Sequence, residues 1–259
     1  MHITLTGNLG SGKSTISKIF AEKGYEIYST GKIQRTLAAE RGLTVLEMNK
    51  LMETDHSFDN IIDDTTTKLS KEHKEDLFFD SRLAWHFAVN SFKIFLSVDI
   101  NEAARRVFND DKRGEVEKYK SVDEAKANLI ARAEAEDSRY KELYKINYFD
   151  MSNYNLVLDS TYASPDILAN IIAKEKSSYE QKIASGIAPE EIRSRILISP
   201  ARLLDTKPET CHRDDDDIFD TEDVIIKREG SSLALLRGSD IVWRVMKSGY
   251  EFISVKEAD

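Results

Sequence analysis

Residues 7–14 read Gly7-Asn8-Leu9-Gly10-Ser11-Gly12-Lys13-Ser14, with the G-x-x-x-x-G-K-[ST] spacing of a phosphate-binding loop. They follow the apolar run Ile3-Thr4-Leu5-Thr6, so a strand is expected to turn through glycines into a helix. Such a turn leaves backbone N–H groups aimed at one point, where the helix dipole and the Lys13 ammonium add positive charge. A polyphosphate is the ligand that suits this arrangement. The Ser14 hydroxyl is placed to ligate the Mg²⁺ that accompanies it.

The other candidates are cationic or acidic. Arg132 and Arg139 are seven residues apart, two helical turns, and share a face that can aim at one anion. Arg35 and Arg82 suit bidentate contact with the α-phosphate of a nucleotide. Asp80 follows the apolar Leu77-Phe78-Phe79 at the carboxyl end of an expected strand, where open α/β sheets bind ligands. There it can hold a Mg²⁺-bound water. Plainer roles stay open for each: a salt bridge for Arg82, a solvated face laced to Glu134 and Glu136 for the two helical arginines, a cap for Asp80. There is no N-K-x-D segment for guanine recognition. A loop at the start of a unit of roughly 180 residues favours a small kinase over a GTPase or a motor. Phosphoryl transfer needs cations and an acceptor pocket but no covalent nucleophile, so the lack of a Ser/His/Asp or Cys/His arrangement is no objection. The five histidines, at 2, 56, 73, 86 and 212, show no metal spacing. Asp214–Asp217 lack the glycine and terminal glutamate of a calcium loop and read as a solvated acidic stretch.

Composition narrows the class. The chain has 259 residues, 41% of them hydrophobic and 32% charged, enough for one large domain or two unequal ones. The net charge of −9 argues against broad binding of nucleic acid. No apolar run approaches about eighteen residues, so no membrane span is expected, nor is a signal peptide expected at the N-terminus. The single cysteine, Cys211, excludes an intramolecular disulfide and suits a reducing cytoplasm.

The elements that must position these residues alternate. A strand at 2–6 leads through the loop into a helix from Lys13 that stops at Gly24. A strand at 25–28 meets Ser29-Thr30-Gly31, and a helix runs from about Lys32 to Gly42. Thr44-Val45-Leu46-Glu47 has capping-box spacing and opens another helix. Further elements are a helix at 57–72, strands at 77–79 and 92–98, a helix from Ser121 to Tyr144, and Leu156–Leu158 as the last strand of the series. Ser164-Pro165 caps a helix to about Gln181. Strands alternating with helices predict an α/β fold with a parallel sheet flanked by helices. The pattern changes near Ser185-Gly186. Domains are therefore expected at 1–182 and 196–259, the second a small α+β unit, with a linker at 183–195. The small unit is near the lower size limit for folding alone, and is expected to pack on the first or on a second copy, leaving a homodimer open.

Three further segments carry a resemblance. Ser29-Thr30-Gly31-Lys32-Ile33-Gln34-Arg35 resembles the S-x-G-x-x-x-R segment of the cytidylate kinase family, and Asp80-Ser81-Arg82-Leu83-Ala84-Trp85 its E-G-R-L-A-G segment. The run from Arg132 through Glu136, Arg139 and Tyr140 to Tyr144 is similar to its R-x-x-x-E-x-x-R-Y-x-x-x-Y. The resemblance extends over residues 1 to about 176 and implies a P-loop kinase fold. It implies ATP–Mg²⁺ on Gly7, Gly10, Ser11, Gly12, Lys13, Ser14 and Thr15, with Ser14 and Asp80 at the metal. A monophosphate acceptor, CMP or dCMP, would lie at Ser29, Gly31, Arg35 and Arg82. Lys13, Arg132 and Arg139 would neutralise charge on the moving phosphoryl group. Asp80-Ser81 stands where Glu-Gly is usual and Lys32 where an acidic residue is common. The stretch Arg105-Arg106 to Asp110-Asp111-Lys112-Arg113-Gly114 is a longer, more acidic approach to the lid. These departures keep two rivals open: a nucleotide-binding regulatory homologue with little turnover, and a kinase of another small metabolite such as dephospho-coenzyme A. The segments 198–203, 235–244 and 249–255 resemble a ParB/sulfiredoxin-like module, with Arg237-Gly238-Ser239-Asp240-Ile241 where D-G-H-H-R is usual, so a structural or regulatory appendage is expected there.

Overall fold

The computed structural model describes residues 1–30, 40–43, 51, 57–110, 119–206, 208, 218–229 and 232–258. The expected helix from Lys32 to Gly42 and the capping box at Thr44–Glu47 fall largely or wholly outside these residues. So do Gly31, Arg35, His56, 111–114 and the stretch from Cys211 to Asp217.

The first unit runs β1 (His2–Gly7), α1 (Lys13–Glu22), β2 (Glu26–Ser29), α2 (Ser57–Glu72), β3 (Leu77–Asp80), α3 (Ala84–Phe87), β4 (Ser91–Ser97), α4 (Ile100–Phe108), α5 (Val122–Tyr144), β5 (Leu156–Asp159) and α6 (Pro165–Ala184). The expected caps at Ser121 and Ser164 form, and Asp99 supplies one more. Asp99 accepts from the N–H groups of Asn101 and Glu102 at the start of α4. Ser121 accepts from Glu124 N–H, and Ser164 from Ile167 N–H ahead of Pro165. Gly24, just past α1, has φ +92°, a left-handed conformation that ends a helix cheaply only at glycine.

β1 to β5 pair in parallel in the order β2-β3-β1-β4-β5. Parallel strands covered on both faces are apolar on alternate residues in both directions. Ile94 and Leu96 accordingly enter one apolar cluster with Ile16 and Phe20 of α1 and Leu168 and Ile172 of α6. Phe95 and Val157 enter the other, with Trp85, Tyr140, Tyr148 and Tyr154.

Leu156–Leu158 does not close the series. After α6 the chain returns as β6 (Arg195–Ile198), which pairs in parallel with β5, Val157 opposite Ile196. The start of the unit expected at 196–259 is thus a sixth parallel strand of the first sheet. Next come α7 (Pro200–Leu203), β7 (Ile218–Phe219), β8 (Ile225–Glu229), β9 (Ser232–Arg237), α8 (Ser239–Lys247) and β10 (Phe252–Glu257). β10 lies antiparallel on β6, β8 is parallel to β10, and β9 is antiparallel to β8. All ten strands belong to one sheet. Val224, Ile226, Val242, Val245, Ile253 and Val255 share the cluster of Phe95 and Tyr148. A sheet and a cluster therefore run across the boundary expected at 183–195.

Candidate active site

The P-loop leaves β1 at Gly7 (φ +141°), where a Cβ would lie 2.1 Å from the Leu96 carbonyl oxygen. No other residue fits so close to β4. At Gly10 (φ +78°) a Cβ would lie 2.9 Å from the Ala103 carbonyl, which seats the loop on α4. Gly12 (φ +91°) precedes α1 and has nothing within 4 Å of a built Cβ. Ser11 is buried, its hydroxyl donating to Asn8 O at 2.8 Å. Ser14 and Thr15 are exposed in the first turn of α1.

Lys13 Nζ donates to Gly7 O at 3.1 Å and Asn8 O at 2.9 Å. Burial, then the Arg82 charge, lower its pKa to about 7, against the opposing pull of Asp80 and Glu136. Arg82 follows β3, whose Asp80 pairs in register with Leu5 of β1 and Ser29 of β2. Its Nη1 donates to Gly7 O and, at 3.3 Å, to Tyr148 Oη. Its Nε lies 3.2 Å from Glu136 Oε2. Burial opposes the Arg82 charge, but Glu136, Tyr148 and Tyr140 together outweigh it and the pKa rises. Burial likewise pushes Glu136 up, and Arg82 with Arg132 holds it below the ordinary carboxylate range. Arg132 Nε is 3.1 Å from Glu136 Oε1.

The geometry gathers Lys13, Asp80, Arg82, Arg132 and Glu136 into one electrostatic neighbourhood beside the loop. Ser29 and Asp80 stand at adjacent carboxyl ends of β2 and β3. Arg139 is placed by its contact with the Tyr140 ring, 5.2 Å from the centroid. Gly31 and Arg35 lie outside the described residues. Two partners escaped the sequence reading. Glu136, expected to lace a solvated helix face, bridges two arginines. Tyr148, in an irregular stretch, places its hydroxyl 2.8 Å from Thr6 Oγ1 and 3.2 Å from Gly7 O; only its apolar surroundings in sequence hinted at burial.

On the opposite side of the loop, the carboxyl ends of β4 and β5 form a second wall. Arg106 Nη2 donates to Ser160 O and Thr161 O at 2.7 and 2.9 Å. Thr161 Oγ1 donates to Asp159 Oδ1 at 2.6 Å and accepts from Asp99 N–H at 3.0 Å. Arg202, from α7, closes this wall: its Nη1 lies 2.7 Å from Asp159 Oδ1 and 2.9 Å from Ser97 Oγ.

Among the described residues no group of three or more His, Cys, Asp or Glu could hold a metal ion by itself. That suits a Mg²⁺ carried in on phosphate oxygens and water, which needs one or two protein oxygens at most. The exposed Ser14 hydroxyl and the Asp80 carboxylate are of the right hard-donor type. No helix among the described residues is long and apolar enough to cross a membrane.

The cytidylate kinase-like family model matches residues 2–162. A cytidylate kinase from Natronomonas pharaonis is 35% identical over 194 residues, 74% of this chain and 97% of that protein. One from Methanocella arvoryzae is 37% identical over 175 residues, 67% of this chain and 95% of that protein. The crystal structure of an uncharacterized protein from Eubacterium ventriosum shares the fold, with a TM-score of 0.53 at 16% identity, over 69% of this chain and 99% of that one. The chain belongs to the cytidylate kinase-like family.

Proposed function

We propose that this protein transfers the γ-phosphoryl group of ATP to a nucleoside monophosphate in the cytoplasm, with CMP or dCMP as the acceptor. The observation that carries this reading is the packing of cations around Lys13. Lys13 Nζ and Arg82 Nη1 donate to the same Gly7 carbonyl oxygen, and burial, then the Arg82 charge, lower the Lys13 pKa to about 7 against the pull of Asp80 and Glu136. A polyanion relieves that crowding, and a developing phosphoryl charge relieves it further.

Gly10 to Thr15 would cradle the β- and γ-phosphates of the donor, with Lys13 shifting from the Gly7 and Asn8 carbonyls to phosphate oxygen. Ser14, and Asp80 through water, would hold the Mg²⁺, which neutralises charge on the donor phosphates. The acceptor phosphate would take the β2–β3 side, on Arg82 with Ser29, Gly31 and Arg35. The donor base would then extend over the β4–β5 side, along the loop at 159–162. An acceptor oxygen attacks the γ-phosphorus while ADP leaves. The acceptor oxygen must approach in line with the bond that breaks, and Arg132 with Arg139 on α5 would cover the transferring group.

The test is a screen of CMP, dCMP, UMP, AMP and dephospho-coenzyme A as acceptors, with ATP–Mg²⁺ as donor. CMP or dCMP is expected to give the highest kcat/KM. Tight ATP binding with transfer to none of them overturns the reading in favour of a regulatory homologue.

A further inference from the structure

Another face of α5 lines a cavity of about 920 Å³, within the size range of small-molecule sites. Leu129, Ala133 and Asp137 face it, four residues apart on one helical stripe, while Arg132, Glu136 and Tyr140 face the P-loop region. Leu9 and Val98 supply further apolar wall. The remaining side is built by β8 and β10, through Arg228 and Glu257. Both lie beyond the residues matched by the family, 2–162. This wall is therefore a feature of the present chain and not of the shared kinase unit.

Its polar groups are arranged as a receptor. Arg228 lies 4.1 Å from the centroid of the Phe149 ring and donates to Phe149 O at 2.6 Å, a cation–π contact at the cavity edge. Burial works against the charges of both Arg228 and Glu257. Asp137 Oδ2 is held by Lys141 at 2.6 Å, but among the described residues its buried Oδ1 has no hydrogen-bond partner. A buried carboxylate oxygen without a donor is costly, and a ligand N–H or O–H would satisfy it. The carboxylates Glu134, Asp137, Asp150 and Glu257 outnumber Lys141 and Arg228. That balance repels phosphate and favours a neutral or cationic ring bearing donors.

We propose that this cavity is a second ligand site, which takes an unphosphorylated nucleoside whose base N–H groups donate to Asp137 and Glu257. Because α5 also carries Arg132 and Glu136, occupancy of the cavity bears directly on the helix that covers the phosphate site. Equilibrium dialysis of the full chain with cytidine and with adenosine tests this, with a non-hydrolysable ATP analogue and CMP both saturating so that the phosphate site is filled. At least one nucleoside is expected to bind at about one equivalent, and CMP not to displace it. Ala133→Trp, which fills the cavity, should weaken binding at least about tenfold, the loss of a fully buried contact. Asp137→Asn, which keeps the shape of the side chain, should weaken it several-fold even if the larger substitution fails to fold. Binding of neither nucleoside, complete displacement by CMP, or binding unchanged in Asp137→Asn overturns the proposal. The assay requires no turnover, and the Ala133→Trp and Asp137→Asn comparisons assign binding to the cavity whether or not CMP fills the phosphate site.

Discussion

Arg82 Nε and Glu136 Oε2 stand 3.2 Å apart, with the arginine at the end of β3 and the glutamate on α5. The pair is an ionic link between α5 and the residues beside the P-loop. Glu136 also reaches Arg132, so one carboxylate orients two cations of the phosphate site. Both side chains are about four-fifths buried. In such surroundings removal of one partner leaves an uncompensated charge, and the loss exceeds the worth of a surface pair.

Glu136→Ala is therefore expected to destabilise the protein by about 3 kcal/mol at neutral pH, measured by urea unfolding. The pH dependence follows from its lowered pKa. The contribution is complete above the ordinary glutamate value of 4.5 and is lost as pH falls through the lower folded value. The difference in stability between the parent and Glu136→Gln should thus be large at pH 7 and shrink below pH 4.5. A difference that grows on acidification contradicts the pairing.

Gly7 and Gly12 should respond differently to alanine. At Gly7 the new Cβ meets the Leu96 carbonyl at 2.1 Å, so backbone must move and expression of folded protein should fall sharply. At Gly12 there is space, and the cost is the left-handed backbone alone, about 1–2 kcal/mol. Thermal unfolding of the two variants distinguishes them.

Arg202→Met removes the cation from a pair whose acid, Asp159, is fully buried. A loss of about 3–5 kcal/mol is expected, with part of it recovered in Asp159→Asn/Arg202→Met. Since Asp159 also holds Thr161, the KM for ATP should rise more than the KM for the acceptor in any variant that folds. Equal changes in both would place the donor base elsewhere.

Tyr148→Phe deletes a hydroxyl that meets Thr6, Gly7 and Arg82. Stability should fall by about 1 kcal/mol, the net worth of one buried hydrogen bond. The kcat should fall more than the KM for ATP rises, because Arg82 loses a support that sets its aim. Steady-state kinetics with ATP varied at saturating acceptor gives the comparison.

The loop was legible because Gly7 and Gly10 are demanded by steric contact with β4 and α4 and Gly12 by its left-handed backbone, and the sequence can only meet those demands one way. The capped helices α5 and α6 were legible for a related reason: Ser121 and Ser164 satisfy N–H groups within three residues, and local chemistry is visible in local sequence. The sixth parallel strand was not. Whether Ile196–Ile198 begins a new unit or extends the old sheet depends on its pairing with β5, some forty residues back. The same holds for Arg202, whose partner Asp159 is distant in sequence, and for Tyr148, which lies in a stretch with no period. Glu136 was seen, but its i to i+4 spacing from Arg132 pointed to the surface pair and gave no sign of Arg82.

The most direct test follows γ-phosphate-labelled ATP with CMP, in the parent chain and in Lys13→Ala. The parent is expected to move the label into CDP, with ADP as the other product. The variant should keep its fold by circular dichroism and lose transfer by about 10³-fold, the scale on which one preorganised charge at a developing anion acts. Label left entirely on ATP in the parent, or transfer by Lys13→Ala at the parental rate, would contradict the account.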